Sequence, residues 1–306
     1  MINKKIIIGS RGSKLALNYA ERAKYEICTK LNINEKNLEI KKIITEGDKI
    51  KDVRLSDTGG KGLFLKTIEN ELLNNKIDIA VHALKDMPSD ETSGLTTNCF
   101  LERNDPREVL ISRDKKKFND LNKGSIIGTS SFRREFQFKR IRNDLKYKLI
   151  RGNVDTRIKK LNEKNFDAII LSFAGLHSLK LDRNITQIFS TSEIIPSAGQ
   201  GTIALQCREN DGEIIKILKK INHELTYKCV IAERDVLKTL NGDCETPIGV
   251  FANIKNNELN LETELFSLDG KERFYESLST ELKNFKKIGL EIGTILKKKS
   301  KNSYKR

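Results

Sequence analysis

Near-continuous apolar runs alternate with helically spaced apolar positions along most of the chain, a pattern that predicts strands and helices in turn. Lys5-Ile6-Ile7-Ile8-Gly9 predicts a buried strand and Ser10-Arg11-Gly12-Ser13 a turn. Leu15, Leu17, Ala20, Ala23, Ile27 and Leu31 then mark one face of a helix, with Ser13 placed as its N-cap. Residues 38–44 predict a second strand, followed by a charged, glycine-bearing loop at 46–62 long enough to serve as a mobile cover. Leu63, Leu65, Ile68, Leu72 and Leu73 supply the next helix face, and 77–84 a third strand that stops at Lys85-Asp86-Met87-Pro88, where proline forbids regular continuation. The pattern restarts with strands at 125–131, 146–150 and 166–173, the first before a helix at 132–140 and the second before Arg151-Gly152-Asn153 and another helix. Such alternation predicts open, mainly parallel sheets.

Beyond Pro196-Ser197-Ala198-Gly199-Gln200-Gly201, the strand 202–207 reads as a return connection between two lobes. A helix from about 221 carries Ala232, Val236 and Leu240 into Asn241-Gly242-Asp243-Cys244-Glu245-Thr246-Pro247-Ile248-Gly249. Alternation through 251–268, with turns at Asn256-Asn257 and Asp269-Gly270, predicts antiparallel strands. The expected fold is α/β, with two lobes built on mainly parallel sheets and a small C-terminal α+β domain. The expected division is 1–101 with 202–220, then 102–201, then 221–306.

A length of 306 residues leaves room for two or three separate cores. Hydrophobic residues at 37% and charged residues at 32% fit a globular chain and exclude a disordered one. No run approaches the roughly 18 apolar residues of a spanning helix, and the N-terminal apolar run is too short for a signal peptide, so the expected location is the cytoplasm. Five cysteines without a Cys-x-x-Cys pair support neither a disulfide framework nor a zinc knuckle. Cys28, Cys99, Cys207 and Cys229 sit in apolar surroundings as core residues do. Cys244 lies in a glycine- and proline-bounded loop, as an exposed thiol for covalent chemistry would and as an incidental loop cysteine also could. His82, His177 and His223 show no metal-ligand spacing, so no metal is expected.

The net charge of +15 admits nucleic acid, an anionic membrane or acidic small molecules as partners. Lys297, Lys298, Lys299, Lys301, Lys305 and Arg306 form a basic tail, read as a solvated end with a lone Tyr304. Ligands of open α/β sheets collect beyond the carboxyl ends of strands, and those ends are cationic and hydroxylic here. They carry Arg11 and Ser13, then Lys85 and Asp86, then Thr129, Ser130 and Ser131 with Arg133 and Arg134, then Arg151, Asn153 and Arg157. Converging on one crevice, these groups suit a small molecule bearing several carboxylates or phosphates. Gly59-Gly60-Lys61-Gly62 fails the spacing of a nucleotide phosphate loop. Asp86, the one acid among the cations, either stabilises a developing positive charge or serves as an ion pair or turn cap.

In order along the chain, Gly9-Ser10-Arg11-Gly12-Ser13-Lys14-Leu15-Ala16-Leu17, Gly59-Gly60-Lys61-Gly62-Leu63-Phe64, Asp78-Ile79-Ala80-Val81-His82-Ala83-Leu84-Lys85-Asp86-Met87-Pro88, Gly128-Thr129-Ser130-Ser131-Phe132-Arg133-Arg134, Arg151-Gly152-Asn153-Val154-Asp155-Thr156-Arg157 and Pro247-Ile248-Gly249 resemble the porphobilinogen deaminase (hydroxymethylbilane synthase) family of tetrapyrrole and heme biosynthesis. The resemblance implies two lobes like those of periplasmic binding proteins and a third domain carrying Cys244, to which a dipyrromethane cofactor is joined by a thioether. It implies a monomeric transferase that deaminates four porphobilinogen molecules, adds them head to tail and releases the product by hydrolysis, with no metal, nucleic acid or membrane partner. Asp86 would be catalytic. Lys85, Thr129, Ser131, Arg133, Arg134, Arg151 and Arg157 would hold cofactor carboxylates. Arg11, Ser13, Phe64, Arg151 and Arg157 would meet substrate. Asp243 stands beside the cysteine where the family has glycine, an acid expected to raise the thiol pKa. A non-catalytic binder of a multivalent anion is the alternative from another class, and nucleic-acid binding through the basic tail is a third reading.

Overall fold

The computed structural model describes residues 5–45, 65–243 and 245–305. The chain begins with β1 (Ile6–Arg11), α1 (Lys14–Leu31), β2 (Leu38–Ile43), α2 (Lys66–Leu73), β3 (Ile79–Ala83) and β4 (Leu95–Phe100). Then come β5 (Glu108–Ser112), β6 (Ile126–Gly128), α3 (Phe132–Ile141), β7 (Lys146–Lys148), α4 (Val154–Asn162), β8 (Ala168–Ser172), α5 (Phe173–Ser178) and β9 (Gln187–Ile188). It closes with β10 (Ile203–Arg208), α6 (Gly212–Ile221), α7 (Glu224–Leu240), β11 (Ile248–Lys255), β12 (Glu258–Phe266), β13 (Arg273–Glu281) and α8 (Phe285–Ser300). Two compact units result: Met1–Asn104 with Thr202–Tyr227, and Asp105–Gly201 with Lys228–Arg306.

The first unit holds a five-stranded sheet ordered β2-β1-β3-β10-β4. Strands β1, β2 and β3 run parallel, and β10 runs against both its neighbours. One face packs Ile6, Ile8, Ile79, Val81 and Leu205 against Ala20, Ala23 and Ile27 of α1 and Ile214, Ile217 and Leu218 of α6. The other packs Ile43, Ile77 and Ala80 against Ile68 and Leu72 of α2. Strands covered on both faces must be apolar on both, which is why β1 and β3 read as unbroken apolar runs. The helix expected from about 221 is α7, which starts at Glu224, and a further helix not read from the sequence, α6, precedes it. Asn222 and His223 separate them: the Asn222 N–H still closes α6 on the Leu218 carbonyl at 3.0 Å, but its Oδ1 accepts the Phe100 N–H at 2.9 Å and the His223 N–H donates to the Phe100 carbonyl at 2.9 Å.

The second unit repeats the plan in a sheet ordered β7-β6-β8-β5-β9, with β6, β7 and β8 parallel and β5 reversed. It adds an antiparallel sheet β11-β12-β13, whose first hairpin turns through Asn256 and Asn257, both left-handed, at φ 51° and 62°. Helices α7 and α8 cover this sheet through Ala232, Val236, Leu240, Ile288, Ile292 and Leu296. Their backbones approach closely at Gly289, where a Cβ would stand 2.3 Å from the Ala232 carbonyl oxygen. The chain beyond α8 departs from the expected solvated end. Tyr304 is 1% exposed, and its hydroxyl donates to the Leu240 carbonyl at 3.0 Å. The lysines at 297, 298, 299 and 301 remain exposed while the aromatic docks. No helix among the described residues is long and apolar enough to cross a membrane.

Candidate functional site

In the first unit, the parallel strands β1 and β3 end side by side. Arg11 is the last residue of β1, and the chain turns at Gly12, over which the flexible Lys42 side chain lies, its Cε 2.2 Å from where a Cβ would stand. Ser13 caps α1, its Oγ accepting the Ala16 N–H at 3.3 Å, while the Ser10 hydroxyl donates to the Ala16 carbonyl at 2.9 Å. Beyond β3, one 3-10 turn spans Leu84–Asp86; the Leu84 N–H donates to the Thr202 carbonyl at 3.0 Å, pinning this turn to the entry of β10. Pro88 follows. The result is a pocket lined by Arg11, Ser13, Tyr19, Leu65, His82 and Asp86, among others. Asp86 is exposed, and its carboxylate has no hydrogen-bond or ion-pair partner among the described residues. Lys85 is half-buried beside it, outside the pocket lining. The structure therefore brings together Arg11, Ser13 and Asp86, two donors and one acidic acceptor.

In the second unit the same edge is formed by the ends of β6, β7 and β8. Thr129 is buried just past β6, its N–H donating to the Lys148 carbonyl at 3.0 Å and its Oγ1 accepting the Ser131 N–H at 3.2 Å. Ser131 in turn caps α3. Arg133 and Arg134, at 4% and 7% exposure, do not project into solvent. Arg133 donates through Nη2 to Glu108 Oε1 at 2.6 Å and through Nη1 to the Ile195 carbonyl at 3.0 Å. Arg134 meets Glu108 Oε2 at 2.8 Å and the Ile170 carbonyl at 3.1 Å. Gln200 is a third donor to Glu108, its Nε2 reaching Oε1 at 2.9 Å. Burial pushes the Arg133 pKa down, opposed by the Glu108 charge and reinforced by Arg134. Two guanidinium groups around one carboxylate leave positive charge in excess, and the buried Arg134 Nε has no hydrogen-bond partner among the described residues. Arg151 is half-buried with no side-chain partner among the described residues, and Arg157 Nε donates to the Gly152 carbonyl at 2.8 Å. An orphaned guanidinium donor and an unpaired arginine on one sheet edge fit a ligand rich in carboxylates, as a dipyrromethane with acetate and propionate arms is.

Cys244, Phe64 and the 46–62 loop lie outside the described residues. Next to the cysteine, Asp243 Oδ1 accepts the N–H groups of Glu245 at 3.0 Å and Thr246 at 3.2 Å, so this acid is spent on holding the turn. Glu108, Gln200 and His82 were not anticipated as site residues. Glu108 and Gln200 become visible only when β5 pairs with β8, which puts Glu108 opposite Ser172.

Two family models match the chain: Porphobilinogen deaminase, dipyromethane cofactor binding domain, over residues 6–216, and Porphobilinogen deaminase, C-terminal domain, over residues 227–298. The chain belongs to the porphobilinogen deaminase family. A porphobilinogen deaminase of Staphylococcus epidermidis is 42% identical over 300 residues, covering 96% of this chain and 95% of that one. One from Geobacillus sp. is 46% identical over 278 residues, covering 90% and 89%, and one from Alkaliphilus metalliredigens is 40% identical over 297 residues, covering 97% and 93%. The periplasmic VFT2 domain of Bordetella pertussis BvgS is similar at 12% identity and a TM-score of 0.42, over 70% of this chain and 86% of that one, too loose a likeness to add to the sheet orders. Members of the family are transferases of tetrapyrrole biosynthesis that act on porphobilinogen and carry a dipyrromethane cofactor-binding domain, and this chain has that domain.

Proposed function

We propose that the chain builds hydroxymethylbilane from four porphobilinogen molecules on a dipyrromethane primer joined by a thioether to Cys244. The domains 1–101 with 202–220, 102–201 and 221–306 supply the substrate pocket, the carboxylate-binding edge and the cysteine in that order. The observation that carries the reading is the pocket in which the Asp86 carboxylate, without a hydrogen-bond or ion-pair partner among the described residues, stands with Arg11 and Ser13. Loss of ammonia from an aminomethylpyrrole leaves an azafulvene cation, and a fixed carboxylate at the pyrrole N–H stabilises that charge as it develops. Asp86 is held for this role by the 3-10 turn after β3, while Arg11 and Ser13 are donors for the substrate carboxylates, with Lys85 beside them. The primer, when bound, supplies the pyrrole carbon that takes up the first substrate. Thr129, Ser131, Arg134, Arg151 and Arg157 hold its carboxylates, and Arg133 contributes charge through the Glu108 cluster. Phe64, Arg151 and Arg157 serve the incoming substrate. The protein works as a cytoplasmic monomer without metal, nucleic acid or membrane.

Asp86→Asn tests the assignment. The amide keeps the shape of the carboxylate without its charge, so turnover of porphobilinogen falls by about two orders of magnitude or more while the folded state is retained. Near-normal turnover in that variant removes Asp86 from the chemistry.

A further inference from the structure

His82 lines the same pocket and is also the first member of a buried polar chain. Its Nε2 lies 3.1 Å from Gln206 Oε1; the Gln206 Nε2 donates to Glu69 Oε1 at 2.9 Å, and the Thr92 hydroxyl donates to Glu69 Oε2 at 2.9 Å. The direction of every bond is fixed from the far end. A carboxylate only accepts, so Glu69 forces Gln206 to present its amide nitrogen there and its oxygen to His82. The ring must then carry its proton on Nε2, which leaves a lone pair on Nδ1. Nδ1 has no hydrogen-bond partner among the described residues. Burial, together with the Arg11 charge and against the Gln206 contact, pushes the ring pKa down to about 4, so the ring is neutral at physiological pH.

The substrate brings two kinds of N–H donor, the pyrrole nitrogen and the ammonium of the aminomethyl arm. Of the acceptors lining the pocket, Asp86 is an anion and His82 a neutral nitrogen. An anion at the ammonium would hold the ground state as an ion pair that weakens as positive charge leaves the nitrogen; a neutral acceptor opposes departure less. Asp86 therefore suits the pyrrole and a neutral nitrogen suits the arm.

We propose that His82 is a further substrate-binding residue whose Nδ1, aimed by the Gln206–Glu69–Thr92 chain, accepts a hydrogen bond from the ammonium of the incoming porphobilinogen. The inference rests on the deaminase reading above. As the C–N bond breaks, its electron pair leaves on nitrogen as neutral ammonia, the positive charge stays on the pyrrole methylene, and no proton passes to His82. The ring is thus unchanged from one addition to the next.

The test uses cofactor-loaded protein, with loading checked by intact mass. His82→Phe raises KM for porphobilinogen about tenfold or more with kcat within about threefold, and His82→Gln, which restores a neutral acceptor, recovers most of the difference. In wild-type protein, ¹⁵N NMR of the His82 ring shows a proton on Nε2 and none on Nδ1, with the Nδ1 resonance shifting on addition of porphobilinogen. An unchanged KM in His82→Phe, a loss confined to kcat, or a proton on Nδ1 overturns the inference while the deaminase reading stands. Wild-type protein that makes no tetrapyrrole defeats that reading and this inference with it.

Discussion

Replacing Arg133 by Leu separates a structural arginine from a ligand-binding one. The guanidinium is 4% exposed and bonded to a carboxylate that is fully buried. Removing one partner of a buried pair costs about 3–5 kcal/mol, because the other charge is left without compensation. Glu108 retains Arg134 at 2.8 Å and Gln200 at 2.9 Å, so Arg133→Leu falls at the lower end, about 3 kcal/mol. Glu108→Leu leaves two buried guanidinium groups facing each other and reaches the upper end, about 5 kcal/mol. Arg151→Leu removes a side chain with no partner among the described residues and stays within about 0.5 kcal/mol of wild type. Urea unfolding followed by circular dichroism, compared as midpoint shifts at constant slope, reads all three. Intact mass then reads cofactor loading, which Arg151→Leu lowers although its stability is normal. If Arg133→Leu is as stable as Arg151→Leu, the Glu108 cluster is not the ionic core described here and the argument for it fails.

Two further outcomes follow from buried groups. The His82 pKa, held by burial at about 4 against 6.5 in the unfolded chain, means the unfolded state takes up a proton first as pH falls. Its contribution is complete above pH 6.5 and is lost as pH drops to 4, about 3 kcal/mol in all, and His82→Gln flattens that part of the stability curve. Tyr304→Ala, which empties a buried aromatic site and leaves the Leu240 carbonyl without its donor, costs about 3–5 kcal/mol in urea, whereas Lys298→Ala is neutral within about 0.5 kcal/mol.

The strands of both parallel series were legible because burial on two faces forces unbroken apolar runs, and Ser13 was legible as an N-cap because the helix face starts two residues later. Less visible were β4 and β5. Leu95–Phe100 mixes threonine and asparagine with its apolar positions, and Glu108–Ser112 begins with a charge that the structure neutralises from elsewhere in its unit. The helix read from about 221 is α7, whereas α6 before it was not read, although Ile214, Ile217, Leu218 and Ile221 recur at helical spacing. At the site, the sequence identified cations at strand ends but carried no information on which of them were already paired. Arg133 and Arg151 look alike in the chain, and what distinguishes them is a glutamate 25 residues away that lies opposite Ser172. Tyr304 was hidden for a similar reason: a lysine-rich surround reads as solvent whether or not one aromatic in it reaches the core.

Intact mass of the native protein tests the central claim most directly. The account predicts an added mass equal to two linked pyrroles, absent from Cys244→Ser and present in Asp86→Asn. An unmodified mass that stays unmodified after incubation with porphobilinogen contradicts it and leaves a binder of multivalent anions in its place.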